Sequence, residues 1–131
     1  MSIVGAYRLL DQISIYPSGK TEHPRGEQPT GLLLYTADGR MSVHLLRSDR
    51  AVSGSFNSLE TALNEYLGYY GTYVVNEATK TITHHVEGSS FPSWIGTDLV
   101  RGFEWDGERL ILRAEMGSTT RILTWQRISR G

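Results

Sequence analysis

The chain contains no cysteine, which removes disulfide staples and thiolate chemistry together. It has no charge excess either: 13 Lys and Arg stand against 14 Asp and Glu, scattered along the sequence and leaving a formal net charge of −1. Nothing in that balance favours nucleic acid or an anionic membrane as a partner. Apolar runs such as Leu32-Leu33-Leu34-Tyr35 fall far short of the ~20 residues a membrane helix needs. The opening Met1-Ser2-Ile3-Val4-Gly5-Ala6-Tyr7-Arg8 lacks the charged start and apolar core of a secretory signal, and no Asn-x-Ser/Thr site occurs. A reducing, cytoplasmic compartment is the expectation.

The chemistry-bearing motifs are equally sparse. No glycine-rich phosphate loop follows a strand and opens a helix, and no serine nucleophile has a readable His and Asp partner. Adjacent His84 and His85 point to opposite sides of a strand, so they cannot share one metal ion. One inward histidine is too little to infer haem. No metal and no cofactor are expected.

What the sequence does have is turns, at short and fairly regular intervals, the pattern of an all-β domain. The strands read as Gly5 to Tyr16, Leu32 to Thr36, Met41 to Arg47, Tyr70 to Asn76, Thr81 to Ser89, Thr97 to Trp105, Arg109 to Met116 and Thr120 to Ile128. Asp38-Gly39 and Asp106-Gly107 are strong hairpin signals, because glycine takes positive φ without steric cost. The loop from Pro17 to Pro29, with Lys20, Glu22 and Arg25, reads as polar and mobile. One segment keeps a helical period: Leu59, Ala62, Leu63, Tyr66 and Leu67, with Asn57 as N-cap and Gly68 as terminator, predict an amphipathic helix over Ser58 to Leu67. Residues 1–131 therefore form one domain, with the helix between strands three and four placed to cover an open end. A sandwich would satisfy the same strands, but a barrel pairs every edge, and eight strands enclose room for side chains or one small ligand.

A resemblance supports the barrel. Gly5-Ala6-Tyr7-Arg8-Leu9-Leu10, Tyr35-Thr36-Ala37-Asp38-Gly39-Arg40-Met41-Ser42, Tyr70-Gly71-Thr72-Tyr73, His84-His85-Val86-Glu87-Gly88-Ser89, Trp94-Ile95-Gly96-Thr97, Arg101-Gly102-Phe103 and Leu123-Thr124-Trp125-Gln126-Arg127 occur in this order. Together they resemble the lipocalin-like domain family of small bacterial and fungal proteins, over nearly the whole chain. The resemblance implies an eight-stranded antiparallel up-and-down barrel of the calycin type. It also implies that an aromatic near the N-terminus stacks on an arginine of the last strand. Here the aromatic is Tyr7 where a tryptophan is usual, and its partner would be Arg127 or, second, Arg121.

Alternation then sorts side chains by face. Ile82, His84, Val86 and Gly88 share an apolar face, with Thr83, His85 and Glu87 opposite; Leu99, Arg101, Phe103 and Trp105 share another, on which Arg101 is the one charge. Tyr73 shares a face with Gly71 and Val75, and Tyr35 with Leu33. Trp94, after Pro92, belongs at the rim or beneath the adjoining loop, and the phase of His44 is ambiguous. The candidate ligand-binding residues are thus Tyr35, Tyr73, His84, Trp94, Arg101 and Phe103. Against this stands a plain structural role, in which His84 is satisfied within the core and Arg101 reaches the rim to pair with Glu87 or Asp98.

Three functions fit. The first is binding of a small hydrophobic or aromatic molecule with an acidic or carbonyl end, which would satisfy an inward arginine that has no inward carboxylate. The second is a cofactor-independent isomerase or cyclase in the same pocket, with His84 and Arg101 catalytic, compatible with the natural-product pathways in which some relatives of this kind occur. The third is a barrel packed solid that acts through its outer surface. Oligomeric state stays open, a homodimer included.

Overall fold

The structure, a computed structural model, describes residues 1–47 and 66–131. Nine strands follow one another: β1 (Gly5–Ile15), β2 (Thr21–Glu22), β3 (Thr30–Tyr35), β4 (Arg40–Leu46), β5 (Tyr66–Asn76), β6 (Thr81–Ser89), β7 (Asp98–Asp106), β8 (Arg109–Met116) and β9 (Thr119–Ser129). β2 is a two-residue ribbon on the end of β1. The other eight pair antiparallel in the order β1-β3-β4-β5-β6-β7-β8-β9, and β9 returns to β1, so the sheet closes. Closure leaves no long edge exposed. The expected up-and-down barrel is the observed fold.

Of the expected helix, residues 58–65 lie outside the described residues. Tyr66 and Leu67, its last two positions, belong instead to β5, where they pair with Leu46 and Leu45 of β4. Gly68 likewise pairs within the strand, opposite His44, so it does not end a helix. A single turn of 3-10 helix, Pro92–Trp94, bridges β6 and β7.

Alternation builds the core. Leu33 and Tyr35 on β3, Met41, Val43 and Leu45 on β4, Ile82, His84 and Val86 on β6, and Leu110, Leu112 and Ala114 on β8 are all buried. Each fully buried aliphatic side chain contributes roughly 1.5–3 kcal/mol of transfer free energy. Three irregularities interrupt the ladders, one of them in the β1–β9 pairing between Ala6 and Tyr7. Between Leu9 and Asp11 the β1–β9 register shifts, so the inward set changes from Tyr7 and Leu9 to Gln12 and Ser14; an added residue reverses every later side chain. At Tyr70/Gly71 the β5–β6 register shifts as well, and a Cβ on Gly71 would lie 1.8 Å from the His85 carbonyl oxygen. Only glycine permits that approach. The β3–β4 turn places Gly39 at φ 91°, as its Asp-Gly signal requires.

β7 changes partners midway. Residues 98–102 pair with β6 and residues 102–106 with β8. The wall therefore parts between the first half of β7 and the second half of β8, leaving an open slot lined by Val100, Arg101, Gly102, Arg113 and Glu115.

Candidate functional site

One end of the barrel is sealed. Tyr7 of β1 and Trp105 of β7 hold the Arg127 guanidinium between them, with its carbon 5.2 Å and 5.3 Å from the two ring centroids. Arg127 donates to the carbonyls of Val4 (2.8 Å) and Ser2 (2.5 Å), and its Nε lies 3.3 Å from Glu108 Oε2 in an ion-pair contact that is not aligned as a hydrogen bond. Tyr7 in turn donates to the Ile3 carbonyl at 2.6 Å. Burial pushes the Tyr7 hydroxyl up to about 12, although Arg127 pulls the other way. The expected Tyr7–Arg127 stack is present, and Trp105 adds a second face that the sequence reading did not assign.

The rest of the interior encloses a cavity. Its described lining is mostly apolar, with Leu33, Val43, Leu45, Leu67, Leu112 and Leu123 on the walls, Trp94 and Trp125 beside them, and Tyr69, His84, Gln12, Arg25, Arg101 and Arg121 as polar members. No carboxylate occurs in that lining. The open space is about 50 Å³, room for a few waters. The interior is neither solid nor large enough, with side chains as they stand, for a drug-sized molecule.

His84 is at the centre. Its Nε2 lies 2.6 Å from the Tyr35 hydroxyl and its Nδ1 2.7 Å from the Tyr69 hydroxyl. Burial first, and the Arg101 charge second, lower its pKa to about 3, so the ring is neutral at physiological pH. A neutral imidazole has one N–H and one bare nitrogen. Tyr35 is completely enclosed and meets no other acceptor among the described residues, so its proton goes to Nε2. Nδ1–H then donates to the Tyr69 oxygen. The Tyr69 proton is left over, on a hydroxyl that lines the cavity. Burial raises the Tyr69 pKa, and the nearby Arg101 charge acts against it.

Of the six expected ligand residues, His84, Trp94 and Arg101 line the cavity and Tyr35 stands directly behind His84. Trp94 packs edge-on against Tyr69 and Phe91, with ring centroids 5.7 Å and 5.4 Å away. Tyr73 and Phe103 lie elsewhere. Tyr73 donates to the Thr36 carbonyl at 2.6 Å and meets Tyr35 edge-on, and Phe103 is buried beneath the Lys80 ammonium, 5.6 Å from its ring centroid. Both are on inward-reading faces but at a depth the cavity does not reach. Arg101 does not pair with Glu87 or Asp98, which are taken by Arg40 (3.6 Å) and His85 (2.7 Å). It borders the wall slot as well as the cavity, which gives its charge access to water. His44 is on the outer face, 2.6 Å from the Tyr66 hydroxyl.

Sequence reading missed Tyr69, Arg25, Arg121, Gln12 and Trp125 as cavity groups. Tyr69 is two residues before Gly71 on an inward face, but a strand begun at Tyr70 excluded it. Arg121 shares parity with Leu123, Trp125 and Arg127, a signal that was there to use. Gln12 was hidden by the bulge, and no local pattern marks Arg25, which enters from the polar loop and donates to Gln12 Oε1 at 3.2 Å.

A closed antiparallel barrel of eight strands, with a short polar relay in an apolar interior, defines the class of small barrels that enclose side chains or one small ligand. The chain belongs to the lipocalin-like domain family, whose sequence model matches residues 4–128. It is 33% identical over 91 residues to the 4'-hydroxy-3'-methoxypropiophenone carrier protein ppsC of Aspergillus oryzae, a match covering 60% of this chain and 82% of that protein. The crystal structure of a lipocalin-like protein from Bacteroides uniformis shares the fold, with a TM-score of 0.52 at 15% identity over 92% of this chain and 96% of that one.

Proposed function

We propose that this protein binds and carries a small, largely apolar aromatic molecule, holding a carbonyl or acidic oxygen of it against the Tyr69 hydroxyl and the Arg101 guanidinium. The observation that carries the reading is the Tyr35–His84–Tyr69 chain, whose proton count leaves one donor directed at the cavity and polarised by the groups behind it. The relative named as a carrier of an aryl ketone supports the same ligand class. A flat ring fits walls of leucine and tryptophan, and a ketone oxygen fits Tyr69. Seating the ring requires the cavity to widen beyond its present open space. The missing cysteines fit a carrier working in the reducing cytoplasm.

Turnover is the weaker alternative. A histidine held near pKa 3, with a tyrosine hydroxyl on each nitrogen, is a poor base for carbon acids at neutral pH. Titration with 4'-hydroxypropiophenone, followed by fluorescence of the cavity tryptophans Trp94 and Trp125, tests the reading. Saturable binding is expected, with Tyr69→Phe weakening it about 5–10-fold through loss of one hydrogen bond and the ketone recovered unchanged. No binding at millimolar ketone, or equal binding by Tyr69→Phe, would refute it.

A further inference from the structure

The sealed end and the Tyr69 relay leave part of the cavity's polar equipment unused. Arg25 and Arg121 both line the cavity, and the Nε of each is buried without a hydrogen-bond partner among the described residues. A guanidinium Nε–H out of water and unpaired is costly, and two in one cavity are unusual for a structure made only to be stable. Across β9 Arg121 stands opposite Ala114 on β8 and Ser14 on β1, two small side chains without a charge to offer it. Arg25 is oriented by Gln12, whose Oε1 accepts from Nη1, so the guanidinium edge that carries Nε is held without being neutralised. Arg121 and Arg47 both repel the Arg25 charge, while the described lining offers no Asp or Glu in return. Trp125 adds a third buried donor without a partner among the described residues, its Nε1–H, on the same strand as Arg121. Among the described lining residues donors are in surplus and the charge is of one sign, a setting that an anion would complement.

We propose that Arg25 and Arg121 form a second recognition point for a carboxylate, so that the ligand is an aryl ketone or phenol that also carries an acid. This rests on the aryl-ligand reading above and narrows it. The guanidinium edge matches a planar carboxylate, which can accept from Nε and Nη together. The narrowness of the space favours such a flat group over a tetrahedral one. In this arrangement the carboxylate lies between the two guanidiniums, the ring lies along Leu123 and Leu112, and the ketone or phenol oxygen meets Tyr69.

The test uses two probes that differ in one charge: 4-(4-hydroxyphenyl)-4-oxobutanoate and its methyl ester, titrated calorimetrically into the wild-type protein and into Arg121→Met and Arg25→Met. The acid is expected to bind at least about tenfold more tightly than the ester, since hydrogen bonds to charged groups are the strong ones. Each variant should bring the acid to within about twofold of the ester, and 0.5 M salt should erode the acid's advantage in the wild type. Equal affinity of acid and ester in the wild type overturns the carboxylate site. So does an advantage that survives in both variants, because it would then belong to Arg101. If the ester binds and loses affinity in Tyr69→Phe while the acid gains nothing, the aryl-ketone reading stands and this one falls. If neither probe binds at millimolar concentration, both fall. The variant on the polar loop, Arg25→Met, keeps the test decisive should Arg121→Met fold poorly.

Discussion

Arg121 and Arg127 lie six residues apart on β9 and face the same interior, yet their surroundings could hardly differ more. Arg127 has an aromatic ring on each side, two carbonyls in front of it and Glu108 within 3.3 Å. Arg121 has small cross-strand neighbours, a buried Nε with no partner among the described residues, and Arg25 nearby. The first is a structural crosslink that ties the N-terminal residues to the last strand and closes the barrel. The second is an uncompensated charge on the wall of a cavity. An inward arginine is thus not evidence for either role until its partners are counted, because the cost of taking a guanidinium nitrogen out of water is offset at Arg127 and not at the Arg121 Nε.

The largest test of the contrast is Arg127→Met. It strips the donor from two carbonyls and the cation from two rings, and should cost about 3 kcal/mol in urea unfolding, a fall in Tm on the order of 10 °C. A loss below ~1 kcal/mol would mean that the seal is not structural.

Acid should separate the polar relay from both ends. The His84 pKa is near 3 when folded and near the ordinary 6.5 when unfolded. Between these values the unfolded chain binds the extra proton, so stability falls as pH drops below 6.5 and this loss levels off only below about 3. About 2–3 kcal/mol should be gone by pH 4.5, from this histidine alone. Urea denaturation of the wild type and His84→Gln at pH 7 and 4.5 measures it, and parallel losses in the two proteins would assign the acid sensitivity elsewhere.

Glu108→Gln should cost less than about 1 kcal/mol, because the carboxylate is 44% exposed and water screens its attraction for Arg127. Smallest of all is Arg121→Met, expected to leave Tm unchanged or slightly higher, since no internal hydrogen bond is lost from Nε and a repulsion is relieved. A loss comparable to that of Arg127→Met would erase the distinction between the two arginines.

Much of this molecule could be read without coordinates. Asp38-Gly39 and Asp106-Gly107 mark hairpins, and the apolar faces of β4, β6 and β8 mark their inward sides. Alternation alone put His84 inside and His85 out. The Tyr7–Arg127 pair came from the family resemblance, and the geometry bears it out. What failed did so for identifiable reasons. The helical spacing of Leu63, Tyr66 and Leu67 competed with strand parity and pulled the start of β5 past Tyr69. The bulge at Leu9/Asp11 reversed the face of Gln12, and nothing local announces a bulge. Tyr73 and Phe103 were assigned the right face and the wrong depth.

That last error marks the division. Period-two patterning and turn chemistry are local, so the sequence by itself determines which residues form strands and which face each one buries. Depth along the barrel, the neighbour across two strands and the entry of a loop side chain such as Arg25 depend on register, tilt and closure. Those belong to the assembled sheet. The tertiary structure therefore decided that Arg127 is sealed, that His84 spends both its nitrogens on tyrosines, and that the Arg121 Nε is buried with no partner among the described residues.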